Sequence, residues 1–167
     1  MLVLVLVTAV FAAPLLLAAY RDFDAMTIPN TVVLAMMAGF FLTLPLTWMG
    51  AGPFLEHLAV GGVFFVAGFA LFAFGLIGGG DAKLMAAIAL WFGYVDAVAF
   101  VLYTTIFGAA IAIALILSRR FVPSMVKDTV MMRKLLQGES HMPYGLALAA
   151  GALYVWPTSA LGMALAG

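Results

Sequence analysis

Apolar residues in this chain fall in long unbroken runs, not in the strict alternation of a half-buried strand. They occupy residues 1–20, 31–49, 58–77, 84–94, 97–118 and 145–165. Most of these runs approach the roughly 20 residues that an α-helix needs to cross a bilayer. The fourth is short; counted from Asp81 to Val95 it reads as a tilted or partly re-entrant crossing. Because hydrocarbon offers no partner to exposed backbone amides, continuous apolar runs predict helices. The connections between them are too short for a separate soluble domain. The expected fold is an all-α membrane protein, a bundle of six transmembrane helices in which residues 1–167 form a single integral membrane domain.

Charge then orients the bundle. Threaded through six helices, all seven basic residues fall on one side: Arg21 after the first, Lys83 before the fourth, and Arg119, Arg120, Lys127, Arg133 and Lys134 before the last. The positive-inside rule makes that side cytoplasmic and leaves both termini outside. The outer loops offer only Glu56, His57 and Asp96, and one helix more or fewer would scatter the basic residues over both faces. Residues 119–142 are polar but interrupted by Val122, Met125, Val126, Val130, Met132, Leu135 and Leu136, at spacings near three and four. That period predicts an amphipathic helix in the cytoplasmic interface, with Lys127, Arg133 and Lys134 toward water and Gly138 at its end. A plain solvated connector is the competing reading.

Composition narrows the chemistry. At 67% hydrophobic and 8% charged, the chain lies far from the roughly half apolar, one-quarter charged make-up of soluble domains. Membrane lipid is an expected partner and nucleic acid is not. The absence of cysteine excludes disulfides, thiolate metal sites and a cysteine nucleophile; no metal or other cofactor is expected. Met1 and Leu2 lead directly into the first run without a basic stretch, so that run reads as a membrane helix and not as a cleavable signal.

A carboxylate near hydrocarbon is costly unless paired, protonated or hydrated, so the acids that persist there usually have work to do. Of the seven, Glu56, Asp96, Asp128 and Glu139 read as ordinary solvated surface in loops, leaving Asp22, Asp24 and Asp81. Asp81 follows Gly78, Gly79 and Gly80. Either these form a tight turn with the aspartate capping the next helix, or positive φ and missing side chains let a substrate or a neighbouring helix approach the carboxylate. Asp22 and Asp24 end the first run, shortly before Pro29 and Asn30 open the second. On a helix they would point to nearly opposite sides, so at most one can face Asp81. Both regions lie on the cytoplasmic side, where two close carboxylates resist double ionisation and one serves as base while the other holds a proton. Such a pair can activate water against a peptide carbonyl and protonate the departing amine, without a metal or a covalent intermediate.

These residues resemble the type IV prepilin peptidases, a family within the GxGD aspartyl proteases whose wider group includes archaeal preflagellin peptidases and presenilin-like proteases. Asp22 stands ahead of Ile28, Pro29 and Asn30 at the family's spacing. Gly78, Gly79, Gly80 and Asp81, with Lys83 behind them, match the GxGD signature and its trailing lysine. Pro143, Tyr144 and Gly145 open the last run, followed by Ala147 and Gly151, as in the short pilus-assembly members. The match covers essentially the whole chain. It implies Asp22, not Asp24, as the catalytic partner of Asp81, with the other motif residues shaping the site. It further implies an aspartic endopeptidase of the bacterial inner membrane, cutting the basic leader from inserted prepilins at the cytoplasmic face, just before the hydrophobic stalk of the mature pilin. The chain is similar to the compact branch that serves Flp or Tad pili, so methylation of the pilin is not expected.

Some assignments keep two readings. Lys83 is either a snorkelling anchor or a contact for phosphate headgroups or a backbone carbonyl. Pro143, Tyr144 and Gly145 either start a helix or shape the edge along which an extended substrate lies. The helix dipole would favour ionised Asp81 at a helix start and protonated Asp22 near a helix end. A proton- or ion-coupled transporter using the aspartates and a noncatalytic pilus-assembly scaffold are the rivals from other classes. Acids gathered at one face, and no internal repeat, argue against the transporter.

Overall fold

A computed structural model describes residues 1–121 and 144–167, and among these no strand occurs. The helices are α1 (Leu2–Ala25), α2 (Asn30–Thr47), α3 (Ala51–Ala73), α4 (Gly79–Ala89), α5 (Tyr94–Phe121) and α6 (Tyr144–Val155), then a 3-10 turn (Trp156–Thr158) and α7 (Ala160–Ala166). The expected interfacial helix over residues 119–142 and the motif residue Pro143 lie outside the described part, apart from the end of α5.

Four helices, α1, α2, α3 and α5, are long and apolar enough to cross a membrane. α6 and α7 make a fifth candidate if counted together, with a bend of 47° between them. The bend has a local cause. Pro157 stands inside the 3-10 turn, where a helical amide bond is lost, and Ser159 restarts the helix by accepting the Gly162 N–H at 3.0 Å. α4 has only 11 residues, about 16 Å of helix against a hydrocarbon core of about 30 Å. By length, then, the described residues supply four or five of the six expected crossings. α4 is followed by a tightened turn, in which Trp91 N–H bonds Ile88 C=O at 2.9 Å and Phe92 N–H bonds Ala89 C=O at 3.1 Å.

Although short, α4 and its turn run antiparallel to α3 for most of its length. Gly79 packs under Phe72, Gly68 against Ala82 and Gly61 against Leu90. His57 Nδ1 lies 3.0 Å from the Leu90 carbonyl, and Glu56 accepts the Tyr94 N–H at 2.7 Å. Glu56 and His57 are therefore not loop residues: α3 begins at Ala51, earlier than the apolar run, and buries His57. Asp96 likewise stands in the first turn of α5 and accepts the Ala160 N–H at 2.9 Å. Both carboxylates hold first-turn amides that a helix itself leaves without partners.

The core gathers on α1, whose buried positions Val7, Phe11, Leu15, Ala18 and Asp22 recur every three or four residues. Near the middle of α1, Phe11 stacks on Trp156 at 4.2 Å and meets the edges of Trp91 and Phe92 at 5.2 and 5.8 Å. The indole N–H groups are satisfied there, Trp91 donating to the Met36 carbonyl and Trp156 to Thr8 Oγ1, each at 3.0 Å. Asp22 ends the same stripe in the last turn of α1.

Candidate active site

α1 continues past its apolar run to Ala25, so Asp22 and Asp24 do stand on one helix. Asp22 is 6% exposed and Asp24 is exposed. The helix is stopped by Met26, in the left-handed region at φ 53°, whose N–H bonds the Asp22 carbonyl at 2.9 Å. The chain then reverses into extended Pro29 (φ −63°, ψ 141°), which leads into α2 at Asn30. This reversal wedges Ile28 between two glycines. A β-carbon on Gly80 would lie 3.2 Å from Ile28 Cβ, and one on Gly145 would lie 2.8 Å from Ile28 Cδ1.

The Asp22 carboxylate reaches α6 across 123 residues of sequence, and its Oδ2 accepts the Gly145 N–H at 2.7 Å. That amide belongs to the first turn of α6, where the helix leaves N–H groups free and carries its positive dipole end. Asp81 is the third residue of α4 and half-buried. It is not the N-cap, a position Gly78 fills; instead its carboxylate folds back over Gly78, with Oδ2 2.9 Å from where a β-carbon would sit. Tyr144 lies within electrostatic reach of Asp81. The start of α4, which carries Asp81, and the start of α6, whose Gly145 amide Asp22 holds, thus both border Ile28.

Two expectations change here. Gly78 has φ −70°, and no residue of the glycine triplet has positive φ; the triplet supplies room for Asp81, Ile28 and Phe72 and not an unusual backbone. The dipole contrast between the aspartates is also offset, because Asp22, still in the last turn of α1, takes an amide from the first turn of α6. Lys83 turns away from the pair: it is exposed and its Nζ donates to Asn30 Oδ1 at 3.1 Å. The partnership of Asp22 with the Gly145 amide left no trace in linear spacing. Among the described residues no cluster of three or more His, Cys, Asp or Glu side chains could hold a metal ion.

Helices of this length and apolarity, surrounding a carboxylate-bearing end, define a multi-pass membrane protein. The model of the type IV leader peptidase family matches residues 9–113, well over half of the chain. The chain belongs to that family and is a type IV leader peptidase-like protease. Asp22, Ile28, Pro29, Asn30, the glycine triplet, Asp81 and Lys83 all fall inside the matched span, whereas Tyr144 and Gly145 lie beyond it. No curated protein and no solved structure matches the chain.

Proposed function

We propose that this protein is an aspartic endopeptidase that removes the basic leader from prepilins at the cytoplasmic face of the bacterial inner membrane, with Asp22 and Asp81 as its catalytic pair. The observation that carries the reading is that Asp22 holds the first turn of α6 while the helix start bearing Asp81 packs on the same Ile28, inside a chain of the leader-peptidase family. One carboxylate takes a proton from water as it attacks the scissile carbonyl, and the other delivers a proton to the departing amine. Two carboxyl groups sharing one charge match that division of labour. The roles are those of a coupled pair and belong to it jointly.

The substrate is an inserted prepilin, its hydrophobic stalk in the membrane and its leader on the basic side of the enzyme, as in Flp or Tad pilus assembly. Arg21 and Lys83 stand at the aspartate end, which supports a cytoplasmic site and termini outside. The course of α4 and its turn beside α3, from Phe72 to Glu56, supports counting it as a sixth, short crossing wrapped largely in protein. Incubating the purified protein with a candidate prepilin and weighing the products tests the substrate. The expected products are a basic leader ending in glycine and a mature chain beginning at the stalk. Cleavage within the stalk, or none with any leader-bearing pilin, would overturn the proposal.

A further inference from the structure

A groove of about 560 Å³ runs between α2, α3 and α4 on the outside of the bundle. Its walls are apolar, with buried Gly61 and exposed Gly62 among them, and its polar lining residues are Asn30 and Lys83, joined at one end by their 3.1 Å hydrogen bond. No carboxylate lines it. From Asn30 to Phe41 along α2 the groove is about 16 Å long, about half the thickness of a hydrocarbon core. It therefore spans one leaflet, with a cation at the end where Arg21 and Asp24 also mark the membrane surface. Leu34, Met37, Phe41 and Phe65 on its rim are 40–62% exposed, which leaves it open sideways to lipid.

The groove does not face the aspartates. At 3.6 residues per turn, Lys83 and Asp81 project about 200° apart around α4. Lys83, Ala86, Ala87 and Leu90 line the groove, while Leu84 and Ile88, on the side of Asp81, are fully buried in the core. A prepilin stalk seated in the groove would have to cross the start of α4 to bring its scissile bond to the carboxylates. A lipid has no such requirement.

We propose that this groove is a binding site for an anionic phospholipid of the leaflet on the aspartate side, its phosphate held by Lys83 and Asn30 and one acyl chain lying over Gly61 and Gly62 toward Phe41. Lys83, the trailing lysine of the glycine–aspartate motif, is on this view a headgroup ligand. An ammonium offers three N–H donors, and Asn30 engages one of them. A bound lipid pins α4 against α2 and α3 behind the Asp81 turn. The inference is independent of which peptide bond the protein cuts.

Native mass spectrometry of the purified full chain tests it, with equimolar phosphatidylglycerol and phosphatidylcholine of identical acyl chains. The wild-type protein retains phosphatidylglycerol preferentially. Lys83→Gln lowers that retention about fivefold, the factor one basic residue contributes at an anionic surface. Gly62→Leu puts bulk into the groove from a position where a β-carbon meets nothing within 4 Å, and it lowers retention of the lipid comparably while circular dichroism stays unchanged. Equal retention of the two lipids, or wild-type retention by both variants, would overturn the proposal. So would a Gly62→Leu variant that binds lipid normally but shows a raised KM for prepilin, since that gives the groove to the substrate. Inorganic phosphate competing away the lipid as well as phosphatidylglycerol itself does would reduce the site to an anion site without the groove.

Discussion

Replacing Gly145 by alanine would put a methyl carbon 2.8 Å from Asp22 Oδ2 and equally close to Ile28 Cδ1. Helix propensity alone favours this change by about 1 kcal/mol, whereas overpacking opposes it by about 1–3 kcal/mol. The stability effect is thus modest, but the carboxylate has to move. We expect Gly145→Ala to lower prepilin turnover about a hundredfold, as misplacement of a reacting group does, while the apparent Tm in detergent changes little; wild-type kinetics would contradict the geometry. Asp24→Asn should leave kcat unchanged, since Asp24 is exposed. In the sequence these two aspartates were separable only by motif spacing relative to Pro29. What spacing could not convey is that Asp22 completes the buried stripe of α1, because a run in which nearly every residue is apolar hides which face turns inward.

At the scale of elements, glycine placement decides how closely helices approach. A β-carbon on Gly68 would lie 3.1 Å from the Ala82 carbonyl oxygen and 3.3 Å from Ala82 Cα, backbone atoms of α4 that cannot rotate away. One on Gly62 meets nothing within 4 Å. Gly68→Ala should therefore destabilise the protein by about 1–3 kcal/mol and Gly62→Ala should be neutral or stabilising by about 0.5–1 kcal/mol, both read from thermal unfolding in one detergent. Equal effects would mean that α3 and α4 are not packed as described. Element existence was legible in the apolar runs, but element ends were less so. Hydropathy marks where lipid stops, so it missed α1 continuing to Ala25 and α3 starting at Ala51. It also merged α6 with α7, although Pro157 inside that run was a readable sign of the break. The half-length of α4 follows from glycines at its start and from the turn that seats Trp91 on the Met36 carbonyl; only the first of these is visible in sequence.

The whole molecule has two unlike ends. One is made by the end of α2 and the starts of α3 and α5, where Glu56 holds the Tyr94 N–H, and the other brings two carboxylates to glycine-bordered helix starts. Freedom from native cysteine makes their orientation directly measurable. A single cysteine at Gly52, exposed in the first turn of α3, should react with an impermeant maleimide in intact spheroplasts. A cysteine at Asp24 should react only after lysis. The opposite pattern would place the site outside and exclude a cytoplasmic leader as substrate. The central claim is the aspartate pair itself, and its most direct measurement is the single-turnover rate of prepilin cleavage by purified Asp22→Asn and Asp81→Asn variants, each checked for wild-type membrane insertion and Tm. The account predicts a loss of at least about a hundredfold in each, the scale of a missing general acid or base; wild-type cleavage by either variant would contradict it.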